Sequence, residues 1–280
     1  MARANVAIFA HNEERRIAGC IKSLPIASDA FEFHVLVNGT TDRTAAIARQ
    51  MTNGIDHIRV HDLPVAGKAR TWNYFVDAIF DESADACLFV DGDAEIMPGS
   101  LEAMVDALAA ARNANGVNAI PITGRKQRAY HASIIADHGL FGALYGLSGD
   151  FLRRLKASNV RLPDDLIGDD GLIGALAKTD LGPESDWDDT RIVNCADAHF
   201  RVEEIDWRVP ATLRLHYRRM INYSTRRYQN LVISSVMRGA GPGALPATMR
   251  ETYAAHWDAF RIRPSHAPFD WIAKQRMKRA

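Results

Sequence analysis

Along the first hundred residues, uninterrupted apolar runs alternate with stretches whose apolar positions keep helical spacing. The run "NVAIFA" (Asn5–Ala10) predicts a buried strand, and after "HNEE" the positions Ile17, Cys20, Ile21 and Leu24 recur at helix period. "FEFHVLV" (Phe31–Val37) predicts a second strand, "GTTDRT" a turn, and Ala45, Ile47, Ala48 and Met51 a second helix. A third strand follows in "DHIRVHDL", then "GKA" and a helix through Trp72, Phe75, Val76 and Ile79. "ACLFV" predicts a fourth strand, and "PGSLEAMVDALAAAR" a helix with Pro98 near its start and Ser100 in its first turn. Strands and helices in strict alternation predict an α/β fold, a mainly parallel sheet flanked by helices on both faces.

The alternation stops near Arg125. "HGLFGALYGLSGDFLRR" gathers Gly139, Gly142, Gly146 and Gly149 in one short stretch, where glycine lets backbone approach a ligand closely. "LPDDLIGDDGLIGALAK" opens a helix with acidic residues, and the tail is helical and arginine-rich. This pattern divides the chain into a catalytic-type domain over 1–205, with halves 1–124 and 125–205, and a basic helical C-terminal extension over 206–280.

Composition adds little until charge is resolved along the chain. The 280 residues are 47% apolar and 24% charged, as in an ordinary globular protein, and the formal net charge is zero. Residues 201–280 hold 15 Lys/Arg against 6 Asp/Glu, leaving the first 200 with 19 against 28. An acidic body with a basic tail suits a metal site in one part and an anionic partner for the other, or solvated helix faces in both. No apolar run reaches the length of a membrane-spanning helix, and the N-terminal stretch lacks a signal-peptide pattern. Cys20, Cys87 and Cys195 lie far apart in no metal spacing, which suits reduced thiols in a cytoplasm.

In a parallel α/β sheet, ligands sit beyond the carboxyl ends of the strands. Asn12, Asn38, Lys68, Asp91 and Asp93 all fall at such ends. Asp91-Gly92-Asp93 is the strongest local feature: two carboxylates one residue apart can share a hard divalent cation that also takes phosphate oxygens, or can simply occupy a solvated turn. Asn12 also suits a helix N-cap, Lys68 an exposed surface position, and Asn73 a solvent-facing one. Asp169-Asp170 opens a helix, where the dipole favours a carboxylate and where a general base for a hydroxyl can stand. Asp164-Asp165 is expected to be solvated. His199, in "NCADAHF", is either a third metal ligand or an ordinary buried or surface histidine.

Six motifs in order carry a resemblance: "VAIFAHNEERRIAGCIKSL", "VLVNGTTDRTAAIAR", "GKARTWN", "LFVDGDAEIMPGSLEAM", "GLSGDFLRR" and "IGDDGLIGAL". Together, over about residues 5–178, they resemble the family 2 glycosyltransferases of the GT-A fold. The resemblance implies inverting, metal-assisted transfer of a sugar from a nucleotide-sugar to an acceptor hydroxyl. It places Asn12, Glu13, Lys68, Asn73, Asp91 and Gly149 at the nucleotide-sugar, Asp93 and Asp91 on Mn²⁺ or Mg²⁺, and Asp170 as base beside Asp169. Asn38, from its strand-end turn, joins the nucleotide-sugar set, and His199, after a late strand, is the candidate third metal ligand. UDP-sugars are favoured over GDP-sugars, although Val37-Asn38 replaces the aspartate pair that often reads the nucleobase in that family. The acceptor is expected to be a saccharide or a lipid-linked molecule, and no nucleic-acid partner is expected. Without a Gln-x-x-Arg-Trp stretch, a processive synthase is not expected.

Two alternatives compete. Haloacid-dehalogenase-like phosphatases carry a D-x-D, a later "TGR" and a later "GD" in this order, with Asp91 as nucleophile and Asp93 as acid/base. Glu95 and Ile173-Gly174 depart from that pattern, and the first ninety residues stay unexplained by it. A non-catalytic nucleotide-sugar-binding protein is the other. In the tail, Arg214, Arg218 and Arg219, with Arg226 and Arg227 two turns on, suit contact with an anionic membrane surface or a phosphorylated lipid-linked acceptor, or else a solvated face or a dimer contact.

Overall fold

The computed structural model describes residues 3–122, 128–202 and 210–279. Eight strands form one sheet: β1 (Ala4–Ala10), β2 (Phe31–Asn38), β3 (Ile58–Leu63), β4 (Ala86–Asp91), β5 (Ala94–Ile96), β6 (Gly116–Pro121), β7 (Leu144–Ser148) and β8 (Ile192–Val202). Their order is β3-β2-β1-β4-β7-β6-β8-β5. The four strands expected from the sequence, β3-β2-β1-β4, run parallel. The other half is mixed: β7 is antiparallel to both β4 and β6, β6 and β8 are parallel, and β5 is antiparallel to β8.

The period-2 alternation of the strands sorts side chains into two cores. Val6, Ile8 and Ala10 of β1 face helices α1 (Ile17–Ser23), α2 (Thr44–Thr52) and α4 (Ser100–Ala110). Ala7 and Phe9 face the opposite way, toward α3 (Lys68–Tyr74), α6 (Gly149–Ala157) and α7 (Asp169–Lys178). The centre of this second core is aromatic: Phe89 stacks on Tyr145 at 4.9 Å and on Trp72 at 5.8 Å. Helix α3 continues into a π-helical turn, Phe75–Ile79, whose Phe75 packs edge-on against Phe89. A further helix, α5 (Arg128–Ala136), lies between β6 and β7 in the chain.

The C-terminal helices α8 (Pro210–Arg238), α9 (Arg250–Tyr253) and α10 (Ala267–Arg279) join this aromatic core. Ile221, Tyr228, Val232, Met249, Phe260 and Ala273 share its apolar cluster. Among the described residues, no helix is long and apolar enough to cross a membrane.

Candidate active site

The carboxyl ends of β1, β2 and β4 open on one side into a cleft of about 460 Å³, lined by Phe9, His11, Glu13, Asn38, Ala66–Lys68 and Asp91–Asp93. Such a volume suits a small-molecule ligand. The loop after β1 and the loop after β2 are stitched into one wall. The Asn12 amide donates to Thr40 Oγ1 at 3.0 Å, and Asn12 Oδ1 accepts from the Thr41 amide at 2.9 Å. The Glu13 amide donates to Thr44 Oγ1 at 2.7 Å, and that of Glu14 to Asp42 Oδ2 at 3.2 Å. Asn12 is therefore a brace rather than a helix cap; its backbone is left-handed, at φ 56°. Asn38 is buried and ties three segments, donating to the Ala10 carbonyl and accepting from the Gly67 amide, while its own carbonyl accepts from His11 Nδ1 at 2.7 Å. His11 had no signal of its own in the sequence beyond its place in "HNEE".

Charge converges on the cleft. Lys68 Nζ stands 2.6 Å from Asp91 Oδ1 and 3.7 Å from Asp169 Oδ2, and donates to the Gly142 carbonyl at 3.0 Å. This lysine is thus no free surface cation. Burial alone would lower its pKa, but the Asp169 and Asp91 carboxylates outweigh that and raise it. Burial lifts Asp91 to about 6, with Asp93 adding to the rise and Lys68 opposing it. Asp169 is raised by its burial, and its Oδ2 receives no hydrogen bond. Glu13 is lifted by burial and by Asp93 to about 7, against Arg16, which pairs with Glu13 at 2.6 Å and reaches Asp93 at 3.7 Å. Asp170 pairs with Arg226 of α8 at 2.9 Å. Arg16 and Arg226 are site residues that sequence spacing did not single out for this role. Arg16 lies one helical turn past Glu13, whereas Arg226 stood in the arginine set assigned to a membrane surface.

Five carboxylates (Glu13, Asp91, Asp93, Asp169, Asp170) thus meet three cations (Arg16, Lys68, Arg226), an excess of acidic groups that a divalent cation would help to offset. Among the described residues no three His, Cys, Asp or Glu side chains form a ready-made metal cage. Two carboxylates beside an open cleft nevertheless fit Mg²⁺ or Mn²⁺, which complete their shells with water and phosphate oxygens.

Several expected residues lie elsewhere. His199 pairs in register with Met97, four strand positions or roughly 13 Å from the level of Asp93, and its Nδ1 faces the Ile120 carbonyl. It therefore does not join Asp91 and Asp93. Gly149 sits at the opposite end of the sheet, because β7 runs antiparallel to β4 and Ser148 lies beside Ala86, not Asp91. Its amide donates to the Asp85 carbonyl, and a Cβ there would collide with the Ala84 carbonyl oxygen. Close backbone approach, not contact with the nucleotide-sugar, explains this glycine; Gly142 is the one beside Lys68 and Asp170. Asn73 is buried rather than solvent-facing, is bonded to the Leu162 backbone at 2.8 and 3.0 Å, and does not line the cleft. Nor are Asp164 and Asp165 merely solvated: they pair with Arg70 and Arg250. The "TGR" of the phosphatase alternative, Thr123–Arg125, lies outside the described residues.

The profile of the glycosyl transferase family 2 matches residues 5–161. The chain belongs to this family. The match takes in the first ninety residues, which the phosphatase alternative left unexplained, and neither that alternative nor a non-catalytic one gains support. No curated protein matches the chain in sequence. Solved structures share its GT-A-like fold. A mannosyltransferase from Pyrobaculum calidifontis, in complex with GDP-mannose and Mn²⁺, is 17% identical with a TM-score of 0.61, over 100% of this chain and 76% of the other. Glucosyl-3-phosphoglycerate synthase from Mycobacterium tuberculosis, with Mn²⁺, UDP-glucose and phosphoglyceric acid, is 18% identical with a TM-score of 0.54, over 88% and 81%. TarS residues 1–349 from S. aureus, with UDP-GlcNAc, is 15% identical with a TM-score of 0.56, over 97% and 79%. The family 2 chain is a glycosyltransferase enzyme, and the cleft at its strand ends is the candidate donor site.

Proposed function

We propose that this glycosyltransferase moves a hexosyl group from a nucleotide-sugar, a UDP-sugar before a GDP-sugar, to an acceptor hydroxyl with inversion. The observation that carries the reading is Lys68, which joins Asp91 of the strand-end pair to Asp169 of the distant acidic pair across one cleft. In this reading the nucleotide lies along the stitched wall of His11, Asn12, Glu13 and Asn38. Asp91 and Asp93 would hold a divalent cation, Mn²⁺ or Mg²⁺, which when bound offsets the charge of the diphosphate leaving group. Lys68, held by two carboxylates and a carbonyl, supplies a fixed positive charge at the same place. Asp170, at the first turn of α7, takes the proton of the attacking acceptor hydroxyl, which is otherwise a weak nucleophile. Residues 1–124 would serve the donor, 125–205 the acceptor.

The acceptor in this reading is a saccharide or a lipid-linked molecule. Any contact with an anionic, cytoplasm-facing membrane surface falls to Arg214, Arg218 and Arg219, since Arg226 pairs with Asp170 and Arg227 donates to the Arg261 carbonyl at 3.0 Å.

The test is calorimetric titration of UDP and of GDP, with and without Mn²⁺, on the wild type and on Asp93→Ala. Metal-dependent binding of one nucleotide that disappears in the variant supports the donor site and names the base. Binding of neither nucleotide under any condition overturns the reading.

A further inference from the structure

Between α6 and α7 the chain runs without regular structure over residues 159–168 and then delivers Asp169 and Asp170. Its second half is held on one side by Arg70 and Asn73, which bind the Asp164 carboxylate at 3.0 and 3.3 Å, and on the other by residues from beyond position 225. The Asp164 amide donates to the Ala247 carbonyl at 2.9 Å, and Asp165 Oδ1 accepts from the Met249 amide at 2.6 Å. Gln229 of α8 is 1% exposed, and its side-chain amide is fully used. Its Oε1 accepts from the Ile167 amide at 2.8 Å, while Nε2 donates to the Asp165 carbonyl at 3.1 Å and to the Tyr253 hydroxyl at 2.9 Å.

One turn earlier on α8, Arg226 reaches the acidic pair itself. Its guanidinium lies over Gly168 and Gly171, and a Cβ on Gly168 would occupy the place of the Arg226 Nε. Gly168 also has φ +85°, a conformation that a side chain would strain, so this glycine serves the turn and the arginine together. Arg226 Nη2 binds Asp170 Oδ1 at 2.9 Å. The other oxygen, Oδ2, faces Gly142, whose carbonyl accepts from Lys68 Nζ. One carboxylate oxygen is therefore tied back to α8 and the other lies beside Gly142, whose carbonyl holds the cleft lysine.

We propose that helix α8 sets the attitude of the candidate base: Arg226 holds Oδ1 of Asp170, and Gln229 locks the loop that precedes it. Both are positioning residues, and the C-terminal extension is part of the reaction machinery. This inference rests on the reading of Asp170 as the base. A fixed carboxylate matters because small displacements of a reacting group cost large factors in rate.

The experiment compares the full-length wild type with Arg226→Met, Arg226→Lys and Gln229→Leu. Three quantities are measured: affinity for UDP and GDP with Mn²⁺, release of nucleotide from UDP-glucose and GDP-mannose with water as acceptor, and amide hydrogen exchange over residues 164–171. Arg226→Met is expected to lower the release rate roughly tenfold to a hundredfold, with nucleotide affinity unchanged. Arg226→Lys should restore most of that rate, which a merely structural role would not require. Gln229→Leu should quicken exchange at Ile167 and lower the rate in parallel. Unchanged release by Arg226→Met, or a matching loss of nucleotide affinity, overturns the inference while leaving the glycosyltransferase reading intact. A wild type that binds neither nucleotide and releases none overturns both.

Discussion

Replacing Lys68 by Met removes one charge and keeps most of the apolar stem, so it isolates the electrostatic role of the lysine. At an effective dielectric of about 20, an ammonium 2.6 Å from Asp91 and 3.7 Å from Asp169 gains about 6 and about 4.5 kcal/mol of gross attraction. Desolvating the ammonium offsets several kcal/mol of this. The Asp91 side chain is 33% exposed, and solvent screens its share further. The net loss should be about 2–4 kcal/mol, which for a chain of this size lowers Tm by roughly 3–7 °C. The assay is thermal melting at pH 7.5 in EDTA, repeated with Mn²⁺. Because the loss comes from two carboxylates left without their shared cation, Lys68→Met/Asp91→Asn should recover a large part of it. Mn²⁺ should also restore part of the loss, and the difference should shrink below pH 6 as Asp91 takes up a proton. A Tm change under about 1 °C, or a double variant no more stable than Lys68→Met, would refute the reasoning.

Three further outcomes follow from the structure. Gly149→Ala should cost roughly 1–3 kcal/mol, because its Cβ meets the Ala84 carbonyl, yet leave UDP and GDP affinity unchanged in calorimetry. His34, 3% exposed and 3.2 Å from His61, is held by burial down to about 4, so between pH 6.5 and 4 the unfolded chain binds the extra proton. Stability is therefore full above pH 6.5 and falls by at most roughly 3 kcal/mol toward pH 4, a slope that His34→Leu should flatten in urea titrations. Asp270 is fully buried and bound twice by Arg263, at 2.7 and 3.0 Å. Burial would raise its pKa, but the Arg263 bonds hold it below the usual carboxylate range, so its contribution is present at neutral pH and lost in acid. Asp270→Asn should lower stability at pH 7 by about 2–4 kcal/mol, measured by denaturant midpoint.

The parallel half of the fold was legible because each element carries its own period. Phe31–Asn38 and Ala86–Asp91 are short apolar runs, and their helices show three-and-four spacing. The strand-end rule then brought Asp91, Asp93, Lys68 and Asn38 to one cleft without any knowledge of contacts. The mixed half was not legible. Whether β7 lies parallel or antiparallel to β4 leaves no mark on Leu144–Ser148 itself, and that choice decides which end of the sheet receives Gly149. His199 failed for a related reason, since β8 meets β5 in a register that only the folded pairing sets. Arg226 was visible as one arginine among several on a basic helix. Nothing local distinguishes it from Arg218, which is exposed.

The carboxylate cluster also sets the chain at odds with its own durability. Asp91 and Glu13 are raised by burial, to about 6 and about 7, so at neutral pH Asp91 is mostly ionised and Glu13 about half ionised, against the preference of their surroundings. Ionising these groups costs folding free energy, and that cost builds as pH rises from the ordinary carboxylate range up to those values and is constant above them. A search for heat-resistant variants, made without regard to activity, would therefore meet an easy gain at Glu13, where exchange for a neutral amide still leaves Arg16 its Asp93 partner, whereas the same exchange at Asp91 would strip Lys68 of its nearest carboxylate. Thermal robustness and donor binding would diverge first in the cleft, long before any change in the aromatic layer behind it.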